Sequence, residues 1–454
     1  QEPFTPSGQE PFTPSGQEPF TPSGQGPFTP QRTESSAVNG AFPDGINAVL
    51  PLECLAAADA VEVLEAKAGN AFKQLRSLQD DKSSNWLFGF FGYDLKNEVE
   101  HLSSQNFDGI GMPDMGFFRP GIVASIKPVR FLETSQVSYL LEIQTLSMAP
   151  EAVFEAIKIA KCKPGKQENE KIKLQPRISK HEYLQTVESI RQHIAGGDIY
   201  EMNFCQEFFA ENASLHPVAV FERLNKIGKA PFSTFLRWKS HFLLSASPER
   251  FLKKEGQKLI SQPIKGTRRR GTTAEEDEQI RQELAASEKD RSENVMIVDL
   301  VRNDFSRNCL PGSVVVEELC AIYSFATVHQ MISTVSGVLP TEISELDALR
   351  DAFPMGSMTG APKVMAMELI ERYEQTRRGL YSGAVGYFAP DGDFDFNVVI
   401  RSILYNAATG YISAQVGGAI VFDSVPEQEY EECMVKVEAM MRALGIFEQG
   451  VSPK

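Results

Sequence analysis

The chain has 454 residues, a formal net charge of −15 and 42% hydrophobic residues. That length exceeds a single hydrophobic core and predicts two or three domains or one large composite one, with the composition of an ordinary soluble enzyme. The acidic balance argues against general nucleic-acid binding, which leaves a basic footprint, and no stretch reaches the ~18 consecutive apolar residues of a membrane span.

Six scattered cysteines (Cys54, Cys162, Cys205, Cys309, Cys320 and Cys433) form no C-x-x-C pair, a pattern expected of reduced thiols in a cytoplasmic protein. No charged-then-apolar leader is expected at the start. Residues 1–36 carry a decaying tandem repeat: QEPFTPSG at Gln1 returns at Gln9 and Gln17 and fades to QGPFTPQ at Gln25. Two prolines and a glycine per repeat propagate neither helix nor central strand, so this segment is expected to be a disordered tail. Residues 37–165 are expected to alternate helix and strand. The pattern predicts an amphipathic helix over Leu55 to Leu78 and a glycine-interrupted strand over Trp86 to Tyr93. Further strands are predicted at Ile122 to Lys127, stopped by Pro128, and at Val137 to Leu146.

The polar run Lys161 to Lys173 marks the boundary to a larger domain, 166–447. That domain is expected to open with a helix at Ser179 to Ala195 and to continue with strands around Phe204, Phe242 and Leu259. Helices are predicted within Ala274 to Val301 and at Ala361 to Tyr373. Strands follow at Gly383 to Phe388, Val398 to Tyr405 and Ile412 to Val416, before a closing helix at Glu427 to Leu444. Mixing without a strict β-α-β rhythm predicts an α+β architecture.

Lys265 lies in the run QPIKGTRRRG, between a rigid proline and a permissive glycine. The following Arg268, Arg269 and Arg270 would disfavour a protonated amine and so activate the lysine as a nucleophile. Alone, the same run also reads as a basic surface turn. Glu293 shares a helical face with Ile297 and Leu300, and Asp290 sits one turn earlier. A buried carboxylate needs a partner, either a metal ion or an arginine such as Arg291.

On the closing helix an apolar stripe (Tyr430, Met434, Val437, Met441, Leu444) puts Glu429 and Glu432 on another face. Lys436 lies four residues beyond Glu432, so this alone reads as a solvated face with a surface ion pair. Two carboxylates on each of two helices would also suit Mg²⁺. The segment GSMTGAPK (Gly356 to Lys363) is expected to open a helix and offer N–H groups to an anion, although its spacing is not that of a phosphate loop. Gly417-Gly418 reads either as a plain turn or as a close backbone approach to a carboxylate.

Taken together, several stretches resemble the chorismate-utilising enzymes. They are AGGDIYEMN (195–203), SPERF (247–251), the Lys265 run, SENVMIVDLVRND (292–304) and VHQMIS (328–333). MTGAPK (358–363), YSGAVG (381–386), VIR (399–401) and the closing helix complete the set. The resemblance implies a large α+β fold of packed antiparallel sheets with flanking helices, to which the N-terminal region lends strands. It also implies Mg²⁺ on Glu293 and Glu432 with Asp290 and Glu429 adjacent, holding the ring carboxylate of chorismate with help from Lys436. Tyr381, Arg401 and the Gly417 backbone would hold the enolpyruvyl carboxylate, Gly266 and Thr267 would line the substrate, Glu249 would be the general acid and His329 a supporting histidine.

Position 265 divides the family. Anthranilate synthases resemble P-I-A-G-T there, and aminodeoxychorismate synthases resemble P-I-K-G-T, their lysine being the nucleophile at C2. Isochorismate and salicylate synthases carry a water-activating lysine where this chain has Glu201, itself a departure from the glutamine expected of aminating members. The resemblance thus implies an aminodeoxychorismate synthase component I, with anthranilate synthase component I as the main alternative and an isochorismate synthase or a non-catalytic chorismate-binding protein behind it. No Cys-His-Glu glutaminase signature is evident, so ammonia is expected from a separate glutamine amidotransferase subunit.

Overall fold

The structure, a computed structural model, describes residues 46–49, 54–80, 85–131, 137–146, 148–160 and 172–446. The repeat tail at 1–36 and most of the 161–173 boundary lie outside them. The strands are β1 (Ile46–Val49), β2 (Cys54–Ala66), β3 (Leu87–Phe91), β4 (Met115–Phe131), β5 (Val137–Thr145), β6 (Gln175–Pro176), β7 (Glu201–Ala210), β8 (Phe232–Trp238), β9 (His241–Ser247) and β10 (Arg250–Glu255). They continue as β11 (Lys258–Gln262), β12 (Ile264–Arg269), β13 (Val315–Ser324), β14 (Val328–Val338), β15 (Gly360–Ala361), β16 (Ala384–Phe388), β17 (Phe394–Val398), β18 (Ser402–Asn406) and β19 (Tyr411–Ile420). The helices are α1 (Ala71–Asp80), α2 (Lys96–Val99), α3 (Pro150–Ile159), α4 (Lys180–Gly196), α5 (Pro217–Gly228), α6 (Ala274–Ala286), α7 (Glu288–Ser306), α8 (Glu345–Ala352), α9 (Lys363–Tyr373) and α10 (Pro426–Ala443). No described helix is long and apolar enough to cross a membrane.

The chain divides into a small unit, residues 1–52 with 127–140, and a large unit, 53–126 with 141–454. In the small unit β1 pairs antiparallel with the end of β4, Val49 opposite Val129.

The large unit is built on two antiparallel sheets. One runs β4-β3-β16-β17-β10-β11-β14-β12, with β2 on β4 and β13 on β14. The other runs β15-β7-β19-β18-β9-β8, with β6 on β7. Aromatic residues dominate the first core: Phe90, Phe91, Phe117, Phe388 and Phe396 are buried together. The second sheet buries Phe204, Leu244, Ile403 and Ile412 against Tyr183, Val187 and Ile190 of α4 and Cys433, Val437 and Met440 of α10. Helix α4 starts where the sequence S-K-H-E supplies a capping box, with Ser179 and Glu182 each accepting the other's backbone N–H at 3.2 and 2.8 Å. The α+β architecture of packed antiparallel sheets with flanking helices, and N-terminal strands β3 and β4 entering the first sheet, is the one expected.

Several elements differ from expectation. The predicted helix Leu55 to Leu78 is instead strand β2 followed by α1. The stretch CLAAADAVEVLEA is rich in helix formers, but it pairs along β4 from Cys54 opposite Ile126 to Ala66 opposite Met115. Those ladder hydrogen bonds outweigh a weak local propensity. Strand β4 does not stop at Pro128: β2's pairs end at Ile126 and β1's begin at Val129, so neither of these ladders needs the missing N–H. Ser287 splits Ala274 to Val301 into α6 and α7, ending one helix and capping the next by accepting the Asp290 N–H. The expected strand Val398 to Tyr405 is broken at Val399-Ile400-Arg401, where the chain crosses from the first sheet to the second.

Candidate active site

Two such crossings lie side by side. Ser247-Pro248-Glu249 leads from β9 to β10, and Val399-Ile400-Arg401 leads from β17 to β18. They are stitched by Val398 N–H to Glu249 O at 3.0 Å, Ala246 N–H to Arg401 O at 3.1 Å and Ser247 Oγ to Val398 O at 2.5 Å. Each crossing carries one chemistry-bearing side chain, so the two sheets together fix a carboxylate and a guanidinium at their junction.

Lys265 of β12 meets Glu201 of β7, with Nζ 2.7 Å from Oε1 and both side chains buried. The other Glu201 oxygen, Oε2, is buried without a hydrogen-bond partner among the described residues. Burial works against the ammonium, but Glu201, Glu293 and Glu249 more than offset it and raise the pKa of Lys265 above the ordinary lysine value. Removing either member of a buried pair of this kind strands the other charge, at a cost of about 3–5 kcal/mol.

The expected activation by arginines is therefore overturned. Arg268 pairs with Asp290 at 2.7 Å and Arg270 with Asp277 at 2.6 Å, while Lys265 is turned inward among carboxylates. Their charges are spent on the α6 and α7 N-termini rather than on the lysine.

Glu249 is also buried. Its Oε1 accepts the Ser357 hydroxyl at 2.7 Å, and burial pushes its carboxyl up to about 7, with Ser357 and Lys265 pulling the other way. A carboxyl with that affinity is substantially protonated at neutral pH, as a general acid requires. It lines a small cavity with Pro263, Ile297 and Ser357.

Gly266 has φ +81°, and a Cβ there would lie 3.0 Å from Asp290 Cβ. Only glycine accepts both the backbone conformation and the approach of α7. That approach brings up Glu293, which is 9% exposed, with Oε1 making no hydrogen bond among the described residues. Burial raises its carboxyl to about 7, with Lys265 pulling it down and Glu201 pushing it up. From α10, Glu429 and Glu432 converge over Gly418, where a Cβ would lie 3.3 Å from Glu429 Oε2 and 3.7 Å from Glu432 Oε1.

Glu429 is not on a solvated face: it is 3% exposed and lies on the buried stripe Cys433, Val437 and Met440, accepting the Ser424 hydroxyl at 2.7 Å. The expected stripe is thus rotated, because β19 packs against the Cys433 side of the helix. Glu432 does make the expected ion pair with Lys436, at 2.6 Å, and Lys436 also donates to Gly417 O at 2.5 Å.

Arg401 has φ +52°, and among the described residues its guanidinium has no hydrogen bond or ion pair. Tyr381, buried, contributes to its electrostatic surroundings and has its hydroxyl 3.7 Å from Cys205 Sγ. His329 is occupied differently: its ring nitrogens meet Ser324 Oγ at 2.8 Å and Asp277 at 3.0 Å. Thr267 sits opposite Gln330 on the β12–β14 pair. The structure thus gathers Lys265, Glu249, Glu293 and Glu201, and engages His329 with the α6 N-terminus.

The comparisons with known proteins fall on this same framework. A profile described as chorismate binding enzyme matches residues 38–442. The chain belongs to the chorismate-binding enzymes. Anthranilate synthase component 1 of Thermus thermophilus is 34% identical over 373 residues, 80% of this chain and 78% of that protein. Aminodeoxychorismate synthase component 1 of Bacillus subtilis is 42% identical over 267 residues, 59% of this chain and 56% of that relative's length. The crystal structure of anthranilate synthase component I from Streptococcus pneumoniae superposes with a TM-score of 0.72 at 26% identity, covering 90% of this chain and 96% of that one.

Sequence reasoning missed several residues that this chorismate-binding enzyme uses to build the site. Ser357, on a tight turn in GSMTGAPK, orients Glu249. Within that segment the Thr359 and Ala361 carbonyls accept the Asn203 and Tyr200 N–H groups, bracing the start of β7 next to Glu201, and α9 begins only at Lys363. Arg378, 2% exposed, pairs with Glu374 at 2.7 Å and also donates to Met358 O and Asn203 O. It ties MTGAPK to β7 from below.

Proposed function

We propose that this chain is an aminodeoxychorismate synthase component I, converting chorismate and ammonia to 4-amino-4-deoxychorismate. The observation that carries the reading is Lys265, an inward-facing amine among catalytic carboxylates, at the position where anthranilate synthases resemble alanine. Arg401, unpaired, with Tyr381 and the Gly417 backbone, takes the enolpyruvyl carboxylate. The donor set of Glu293 and Glu432, with Asp290 and Glu429 beside them, is all carboxylate, and the orphaned Glu293 Oε1 fits a hard cation such as Mg²⁺. Bound there, Mg²⁺ supplies positive charge that ties the ring carboxylate to two acidic helices, with Lys436 adding its own.

Lys265 rests as an ammonium, and Glu201 is the acceptor within hydrogen-bond reach of its proton. The freed nitrogen lone pair bonds to C2, the two ring double bonds each shift by one position, and the C4–O bond breaks. Its electron pair leaves on oxygen, which takes the Glu249 proton and departs as water. Ammonia then bonds to C4, the double bonds shift back, and the C2–N bond breaks. Lys265 recovers its electron pair and regains its proton from Glu201, and the new ammonium at C4 returns a proton to Glu249. A glutamine amidotransferase partner delivers the ammonia in a cytoplasmic setting, in p-aminobenzoate formation.

The alternative is anthranilate synthase component I, favoured by the long Thermus match. Product identification from chorismate, Mg²⁺ and ammonium at mildly alkaline pH separates the two. The expected product is 4-amino-4-deoxychorismate, with p-aminobenzoate and pyruvate appearing only after a lyase is added. Anthranilate and pyruvate without a lyase would overturn the proposal.

A further inference from the structure

Among the described residues no three of the acidic side chains converge as a ready metal site. What stands among the carboxylates is Lys289, in the first turn of α7. Its Nζ lies 3.4 Å from Glu429 Oε1 on α10 and 3.9 Å from Glu293 Oε1 on its own helix, and Glu432 adds to the field on it. The Lys289 contact to Glu293 reaches an oxygen that is buried and makes no hydrogen bond. The lysine side chain is itself 55% exposed, so its stem reaches in from solvent and can withdraw the same way.

From this geometry we infer that Lys289 is the internal counter-ion of the carboxylate cluster, and that a divalent cation displaces it on binding. The inference rests on the Mg²⁺ reading above. The Lys289 ammonium bridges α7 and α10 and, with Lys436 on Glu432 and Lys265 acting on Glu293, offsets the repulsion between Glu293, Glu429 and Glu432 in a partly desolvated space. A 2+ ion does this better with the same oxygens, but it must first expel a like charge. Lys289 therefore weakens metal binding while keeping the metal-free cluster in place.

The test is Mn²⁺ binding to the full chain without chorismate, read by the free-Mn²⁺ electron paramagnetic resonance signal. Lys289→Met keeps the stem and removes the charge, so the Mn²⁺ dissociation constant should fall about tenfold. Lys289→Arg keeps the charge and should bind Mn²⁺ no more tightly than the parent. Metal-free Lys289→Met should also melt lower than the parent and recover on adding Mn²⁺, which distinguishes a counter-ion from a misfolded variant. Unchanged or weaker Mn²⁺ binding by a folded Lys289→Met protein would overturn the role of Lys289 while leaving the metal site standing. A parent protein that binds no Mn²⁺ would overturn the metal reading, and the Lys289 inference with it.

Discussion

Around Lys265 negative charge is in excess, whereas Arg401 feels only the more distant field of Glu432. Glu201, Glu293 and Glu249 all act on the one ammonium, and two of these three carboxyls are raised to about 7 by burial. Among the described residues Arg401 has no carboxylate within ion-pair distance, Glu432 acting on it only through its field, and it sits on a strained, left-handed backbone at a sheet-to-sheet crossing. Burying an unpaired charge is costly, so each region marks what it lacks. The Arg401 region lacks an anion. The acidic region lacks cationic charge and holds at least one proton that can be given away. A substrate with two carboxylates and a leaving hydroxyl answers both deficits, which is why the contrast carries the functional reading.

The sharpest way to break the contrast is to remove the ammonium. Lys265→Ala should lower 4-amino-4-deoxychorismate formation by on the order of 10³-fold, measured by steady-state product assay with ammonium. Removing the proton donor comes next. Glu249→Gln should lower kcat by about 10²–10⁴-fold with a smaller change in KM. In the parent enzyme, kcat should fall as pH rises through about 7, because Glu249 must be protonated to act and its raised affinity places that loss there. A flat profile between pH 6 and 9 would remove its role as acid.

On the other side of the comparison, Arg401→Met should raise the KM for chorismate by about 10–100-fold, the worth of a charge-assisted hydrogen bond to a carboxylate. Its effect on kcat should be smaller. The smallest readout is the proton affinity of Lys265 itself. Glu201→Gln removes the carboxylate nearest Lys265, so the lysine pKa should fall. Labelling of Lys265 by an amine-reactive reagent, followed by peptide mass mapping, should then begin at lower pH than in the parent.

The chemistry of single positions was legible in the sequence to a greater degree than their pairing. Glu249, Glu293, Glu432 and Arg401 sit in runs that resemble the chorismate-utilising enzymes. It is that resemblance that implies an acid, metal ligands and an anion receptor there, since spacing alone reads Glu432 as a surface ion pair. The Glu201–Lys265 pair was not legible, because its members are 64 residues apart and lie on different sheets. Without that pairing the adjacent arginines were the only charges in view, and they suggested a depressed pKa where the fold produces a raised one.

Glu429 was misplaced for a related reason. Periodicity on α10 offers overlapping apolar stripes, and only the packing of β19 decides which is buried. In the same way the alanine-rich stretch of β2 reads as helix until its β4 partner is present. Local pattern therefore identified most elements of the catalytic region, from α4 to α10, and failed where a long-range partner outweighs it.

The central claim is that Lys265 bonds covalently to the substrate, and intact-protein mass spectrometry tests it most directly. Protein quenched after mixing with chorismate and Mg²⁺, without ammonia, should gain the mass of chorismate less one water. Peptide mapping should place that mass on Lys265, and Lys265→Ala should show none. An adduct of equal yield in Lys265→Ala, or full turnover by that variant, would contradict the account.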